Sequence, residues 1–360
     1  MWCRKNISPR LCLSLACLLA AGCGGQKQRI VTPAFYHWQT TLDITPGERR
    51  YLDSSGCKKL YVKLLDIGRD GNSGQTIPYS LLDASNPGDV AGIDLVPAIF
   101  ITNEVFQNIS PRETEWLAGK VANALASFEK REGIRFSPEI QFDCDWTPST
   151  REAFFSFLQK TRAYLPENTR LSATIRLHQY KFPGQTGVPP VDRGMLMFYN
   201  TGDIENAADQ NSIFSPGDAE KYVAGTPQGY PLPLDLALPV FSWGLVYRDG
   251  ELWKIIPEIP DTGLRDSSKF AGVDSLPKAA SVRYTVKNGT FLSGHYLRPG
   301  DVLRVERVPP ALLCEAARLA SKTGLAERTT VAFFHLDTLV LHRYPVQLLD
   351  SVCRMIRHPM

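Results

Sequence analysis

From residue 139 the chain alternates in polarity. Gln141, Asp143 and Asp145 share one parity, and Ile140, Phe142, Cys144 and Trp146 the other. Successive side chains of a strand point to opposite faces, so the pattern predicts a strand over 139–147 with one polar face. Residues 171–178 repeat it, with Ser172, Thr174, Arg176 and His178 on the polar parity. Consecutive strands with polar faces, each flanked by a helix, predict a barrel whose lumen carries a site. A solvent-facing sheet is the other reading of the same alternation. Further strands are predicted at 34–40, 59–66, 94–103, 193–200, 234–243 and 329–336.

Between these strands the apolar period lengthens to that of a helix. Ser110-Pro111-Arg112-Glu113 is a capping box with proline at the first helical position. Leu117, Val121, Leu125 and Phe128 then form one stripe. Ser149-Thr150-Arg151-Glu152 predicts a second box, opening a helix with the stripe Phe154, Leu158, Thr161 and Leu165. Helices also begin at Ser215-Pro216, Pro309-Pro310 and Pro345. Residues 247–307 break the rhythm. Arg248-Asp249-Gly250 and Lys287-Asn288-Gly289 are hairpin signals, so this stretch is predicted to be a β-rich insertion walling a cleft. Eight strand–helix units predict an α/β fold, a (β/α)8 TIM-type barrel with the insertion between strands 7 and 8, and sites at the C-terminal strand ends.

Composition changes this picture little. The 360 residues are 43% hydrophobic and 21% charged, ordinary for a globular chain. A net charge of +3 with no basic block gives no footing for nucleic acid. No cofactor motif and no metal-ligand spacing appear. The N-terminus does change the picture. Arg4, Lys5 and Arg10 precede an apolar run over 11–21, too short to span a bilayer. Leu19-Ala20-Ala21-Gly22-Cys23 resembles a bacterial lipobox. The resemblance implies a signal peptide over 1–22, lipidation of Cys23 and a membrane-anchored tether over 23–33. The barrel body is then 34–360. Gly24 lacks the aspartate that retains lipoproteins at the inner membrane, so the expected address is the bacterial cell envelope, at the outer membrane. A plain secretory signal is the alternative. Cys57, Cys144, Cys314 and Cys353 remain in the body, in no CxxC pair.

In such a barrel the strand ends carry a polar ring. It comprises His37 and Trp38, Lys63 and Asp66, Asn103 and Glu104, Asp143 and Asp145, Arg176 and His178, Tyr199 and Asn200, Trp243, and His335 and Asp337. Carboxylates, a histidine, amides and aromatic faces suit a carbohydrate, whose rings stack and whose hydroxyls take planar polar partners. Asp143 and Asp145 can instead pair with Arg176 or Lys63 as a structural network, and His178 can be a satisfied barrel histidine.

Phe142-Asp143-Cys144-Asp145-Trp146 resembles the fourth strand of family 18 glycosidases, chitinases among them, whose pattern is Asp-x-x-Asp-x-Asp-x-Glu. Met197-Phe198-Tyr199-Asn200 is similar to their sixth-strand Met-x-Tyr-Asp, and Trp243 to their aromatic platform. Over most of its mature length the chain also resembles an uncharacterised family of bacterial lipoprotein-type barrels, a domain of unknown function. The family 18 resemblance implies a sugar site. Its departures are specific: the first Asp is Ile140, the catalytic Glu is Thr147, and the sixth-strand Asp is Asn200. Two expectations follow. One is a glycoside hydrolase with a relocated acid, Glu104, and Asp145 as base or nucleophile beside Asp143. The other is a noncatalytic glycan-binding barrel. Substrate contacts are expected from His37, Lys63, Asp66, Asn103, Arg176, His178, Tyr199, Asn200 and Trp243. An unrelated scaffold role remains open.

Overall fold

The computed structural model describes residues 28–206, 211–225, 229–259, 261–272 and 280–359. The expected signal peptide and the expected lipidation site, Cys23, lie outside them. Eight parallel strands alternate with connecting segments in chain order: β1 Ile30–His37, β2 Lys59–Arg69, β3 Asp94–Ile101, β4 Glu139–Asp143, β5 Arg170–Arg176, β6 Arg193–Met197, β7 Leu234–Pro239 and β8 Arg328–Phe334. Each pairs with its neighbours, and β1 pairs with both β8 (Ala34 opposite Ala332) and β2 (Phe35 opposite Leu60), which closes the ring. The fold is an α/β (β/α)8 TIM-type barrel, as the alternation of strand and helix periods predicts.

The main helices start where their caps say they should, with one exception. Ser110 Oγ accepts from Glu113 N at 3.2 Å, and Glu113 returns the bond to Ser110 N at 2.8 Å, opening Pro111–Glu132. That helix buries Leu117, Val121, Leu125 and Phe128 and stops at Gly133, whose φ of 68° is the left-handed cap that glycine adopts without strain. The exception is the second box. Helix Arg151–Tyr164 has Thr150, not Ser149, at its N-cap, without a side-chain capping bond. The hydroxyls are engaged in the preceding loop: Thr150 Oγ1 accepts from Thr147 N and donates to Asn103 Oδ1, and Ser149 Oγ bonds Thr147 Oγ1.

Three other boundaries differ from the sequence expectation. β1 starts at Ile30 because Ile30–Phe35 pair with Arg328–Phe333, so the end of the expected tether belongs to the barrel. Residues 67–92, between two of the expected strands, read as a loop from their Gly, Asn, Asp and Ser content, yet the first of them extend β2 to Arg69. They then add Thr76–Leu81, an antiparallel strand on the outside of β2, where a crossover helix would otherwise stand. β7 stops at Pro239, and Trp243 lies on the first strand of the insertion, Ser242–Arg248. That strand pairs antiparallel with Glu251–Pro257 on one side and Val302–Arg307 on the other. Ser281–Val286 and Phe270–Gly272 complete a five-stranded sheet. The insertion thus begins five residues earlier than its hairpin signals suggest, and its own core includes Val246, Ile256, Phe270, Tyr284 and Leu303.

The barrel floor is sealed by polar groups as well as apolar ones. Glu139 is buried at the start of β4. It takes Lys59 Nζ at 2.8 Å and Ser172 Oγ at 2.9 Å. One layer up, Tyr36 donates to Gln141 Oε1 at 2.6 Å and stacks on Tyr61, with ring centroids 5.0 Å apart. The lumen is therefore a packed core, and the polar parity of β4 points into it. The apolar parity faces the helices: Trp146 is fully buried against Phe154 and Phe155. The four body cysteines are free thiols. Among the described residues no helix is long and apolar enough to cross a membrane.

Candidate functional site

A cleft of about 540 Å³ opens at the C-terminal ends of the barrel strands, between the ring and the insertion. Asp143 ends β4 at its floor. The carboxylate is buried, accepts from Thr174 Oγ1 at 2.7 Å and lies 3.8 Å from Arg176 Nη2. Burial pushes the Asp143 carboxyl up, while the Arg176 guanidinium pulls it back. Arg176 is also held by Asp145. Its Nε donates to Asp145 Oδ1, and its Nη2 donates to Oδ2 at 3.1 Å, a bidentate fork. Lys63 Nζ meets Asp66 Oδ2 at 2.8 Å on the β2 side. The structural network named as an alternative for the two aspartates is therefore present. It sits in the wall of an open cleft.

Aromatic side chains supply the rest of the lining. Trp38, just past β1, packs on Phe334 at the end of β8, with centroids 5.5 Å apart. Phe334 also meets Tyr199 and Phe241, and Phe241 meets Trp243 edge-on at 5.3 Å. The aromatic at the end of the last strand, where family 18 places its tryptophan, is thus Phe334 here. Trp243 is fixed from behind: its Nε1 donates to Glu306 Oε2 at 2.7 Å. Glu306 is fully buried and ion-paired to Arg304 at 2.6 Å.

The insertion wall ends in Ile255, Pro257 and Glu258. Glu258 has its carboxyl pushed up to about 8, first by burial and then by the facing carboxyl of Asp337. His335 Nε2 is 3.8 Å from Glu258 Oε1, and burial lowers its basicity. His37 lies beneath, only 3% exposed. Burial, followed by the neighbouring His335, takes it down to about 4, which keeps it neutral at pH 7.

Of the residues expected from sequence, Lys63, Asp66, Asp143, Asp145, Arg176, Tyr199, Asn200 and Trp243 line this cleft, with Trp38 and His335 of the ring. His178 does not; it lines an adjoining hollow of about 370 Å³ shared with Asp145, Arg176 and Tyr222. His37 is buried, below the ligand surface. Asn103 braces the loop after β4 by accepting from Thr150 Oγ1 at 2.5 Å, and it is not a lining residue. Glu104 is an exposed residue of the one-turn helix Asn103–Phe106 and lies outside the lining, so the structure does not bring the expected relocated acid together with Asp143 and Asp145 in this cleft. Thr147, where family 18 has its acid, has its hydroxyl bonded to Ser149 and Thr150. Glu258, Phe241 and Phe334 were not singled out from the sequence. Glu258 sits in a hairpin-rich stretch whose partner is set by tertiary folding. The two phenylalanines read as ordinary core in apolar runs.

No family model matches the chain, and no curated protein matches it. Solved structures do. The spore cortex-lytic enzyme SleL of Bacillus cereus superposes with a TM-score of 0.53 at 17% identity, over 93% of this chain and 75% of that one. The chitinase RmChi1 of Rhizomucor miehei superposes with a TM-score of 0.51 at 14% identity, over 89% of this chain and 99% of that one. At such identities the likeness is one of fold alone, the (β/α)8 barrel.

Proposed function

We propose that the cleft binds a poly- or oligosaccharide and that the chain is a glycan-binding, envelope-anchored barrel. The observation that carries this reading is the lining itself. Trp38, Tyr199, Phe241, Trp243 and Phe334 surround a floor of carboxylates, a guanidinium and an ammonium, and these are the faces and planar polar groups that sugar rings and hydroxyls require. Binding without family 18 cleavage is favoured by Thr147 in the acid position and by the fork that occupies Asp145. Glycan-array screening of the purified protein is expected to give selective binding without turnover. Trp243→Ala is expected to weaken that binding about tenfold, or ~1.4 kcal/mol. Absence of binding to every glycan, or unchanged affinity in the variant, would remove the reading.

Hydrolysis is the second reading, and one observation favours it: Glu258 lines the same cleft as Asp143 and Asp145. In it Glu258 replaces Glu104 as proton donor, and Asp145 acts as base or nucleophile. It requires turnover by the wild type that both Asp145→Asn and Glu258→Gln abolish.

The anchor is part of the proposal. Cleavage before Cys23 and acylation of its thiol would hold the barrel at the envelope, with the outer membrane as its address. Cys23→Ser is expected to stop incorporation of labelled palmitate and to release the protein from the membrane fraction. Retained labelling would count against lipidation at this residue.

A further inference from the structure

Three side chains from two distant stretches converge where the insertion wall meets the end of β8. One ligand-type atom each from Glu258, His335 and Asp337 lies within 4.8 Å of the other two. His335 and Asp337 are each held in place by a backbone contact. His335 Nδ1 stands 3.3 Å from the Leu336 carbonyl; a carbonyl only accepts, so Nδ1 carries the proton and Nε2 presents a lone pair. Fixing one imidazole nitrogen on a backbone carbonyl is how metal-ligating histidines are commonly oriented. Asp337 is 5% exposed. Its Oδ1 accepts from Val340 N at 2.8 Å and caps helix Thr338–Arg343. Its Oδ2 is buried and has no hydrogen-bond partner among the described residues. A buried carboxylate oxygen without a donor is costly unless a proton or a cation meets it. Glu258 stands at φ 49°, a left-handed conformation that costs a non-glycine residue roughly 1–2 kcal/mol. The strain falls on the residue whose carboxyl completes the cluster.

We propose that Glu258, His335 and Asp337 bind one divalent transition cation at the rim of the cleft. One imidazole and two carboxylates form a borderline-to-hard donor set, suited to zinc or manganese. Zinc bonds of about 2.0–2.2 Å to nitrogen and oxygen put neighbouring ligand atoms ~3.4 Å apart, so the three groups close on the ion by side-chain rotation of roughly an ångström. Three protein ligands leave coordination positions open, as in catalytic rather than structural sites. Glu258 and His335 line the cleft, so an open position faces it. On the saccharide reading above, a sugar hydroxyl or carboxylate takes that position; cation binding itself does not depend on that reading. The competing arrangement is a proton shared between Glu258 and Asp337, with the Arg343 guanidinium nearby, held to Ser242 Oγ at 2.9 Å. The two exclude one another, and a Glu258 that ligates a cation cannot also protonate a leaving oxygen.

The test uses the full-length protein, stripped with a chelator and returned to chelator-free buffer without saccharide. It is titrated with Zn²⁺ by calorimetry and with Mn²⁺ by loss of the free-ion EPR signal. One equivalent of at least one ion is expected to bind. His335→Ala and Glu258→Gln are each expected to weaken that binding by at least ~100-fold, beyond the 10–100-fold typical of a lost outer partner. Glu258→Gln keeps the size of the side chain, and thermal melts show whether each variant is folded. Absence of stoichiometric binding of either ion by the wild type would overturn the proposal. Unchanged affinity in both folded variants would overturn it as well. A failure to bind glycans leaves this titration untouched, so the two readings fail separately.

Discussion

Replacing Arg176 with methionine is expected to lower the stability of the fold by about 3–5 kcal/mol at neutral pH, the usual cost of stranding a buried charge. The two arms of its fork do not contribute equally. The Asp145 carboxylate is 55% exposed, and an exposed pair is worth ~0–1 kcal/mol however good its geometry. Asp143 is buried, and without the guanidinium its charge keeps, among the described residues, the Thr174 hydroxyl alone as hydrogen-bond donor. The loss should therefore depend on pH. Burial raises the Asp143 carboxyl in the folded state, so its protonated form favours the fold and its ionised form opposes it. Removing Arg176 raises the carboxyl further. The deficit is then smallest at and below the unfolded carboxylate value of about 3.9, and it grows as pH rises through the folded value. Urea unfolding at pH 4 and pH 7 measures this directly, and Asp143→Asn in the same background should restore most of the loss. A deficit under ~1 kcal/mol at pH 7 would mean that Asp143 is already neutral in the wild type. The clamp would then hold no buried charge.

How much of this could be read from the sequence depends on where each contact comes from. The eight strands and the insertion were legible because period-two and period-3.6 patterns are local. So was the inward parity of Asp143, fixed two residues at a time from Gln141. The edge strand Thr76–Leu81 was not, because Gly, Asn, Asp and Ser around it read as loop while its pairing with β2 is tertiary. Glu104 failed for a geometric reason. Residues that follow a strand directly continue its direction only if the backbone stays extended, and Asn103–Phe106 turns at once. The capping box at Ser149 failed because its hydroxyls found partners in Thr147 and Asn103. Glu258 could not be found at all. Its partners, His335 and Asp337, lie nearly eighty residues on, and nothing in a hairpin-rich stretch marks which residue will meet the barrel rim.

Distance in sequence also hides Glu306, 63 residues beyond the Trp243 whose indole donates to it. Glu306→Ala is expected to cost about 3–5 kcal/mol, because the carboxylate and its Arg304 partner are both fully buried and the substitution leaves the guanidinium without its carboxylate. Against a total stability of some 5–15 kcal/mol this can unfold the insertion outright, so the informative variant is Glu306→Gln. In the wild type, Oε2 accepts from Trp243 Nε1 at 2.7 Å and from Ser212 Oγ at 2.6 Å, while Oε1 faces Arg304. A glutamine keeps one carbonyl oxygen for the indole and loses the charge. If Glu306 acts only as a structural ion pair, Glu306→Gln lowers the melting temperature, and the folded fraction binds glycan as tightly as the wild type. If it positions Trp243, the two variants separate: Glu306→Gln binds nearly normally, whereas any folded Glu306→Ala binds about as weakly as Trp243→Ala. Combining Glu306→Ala with Trp243→Ala should then weaken binding no further, since two residues acting through one ring are not additive. Full additivity of the two losses would place Glu306 outside the binding wall.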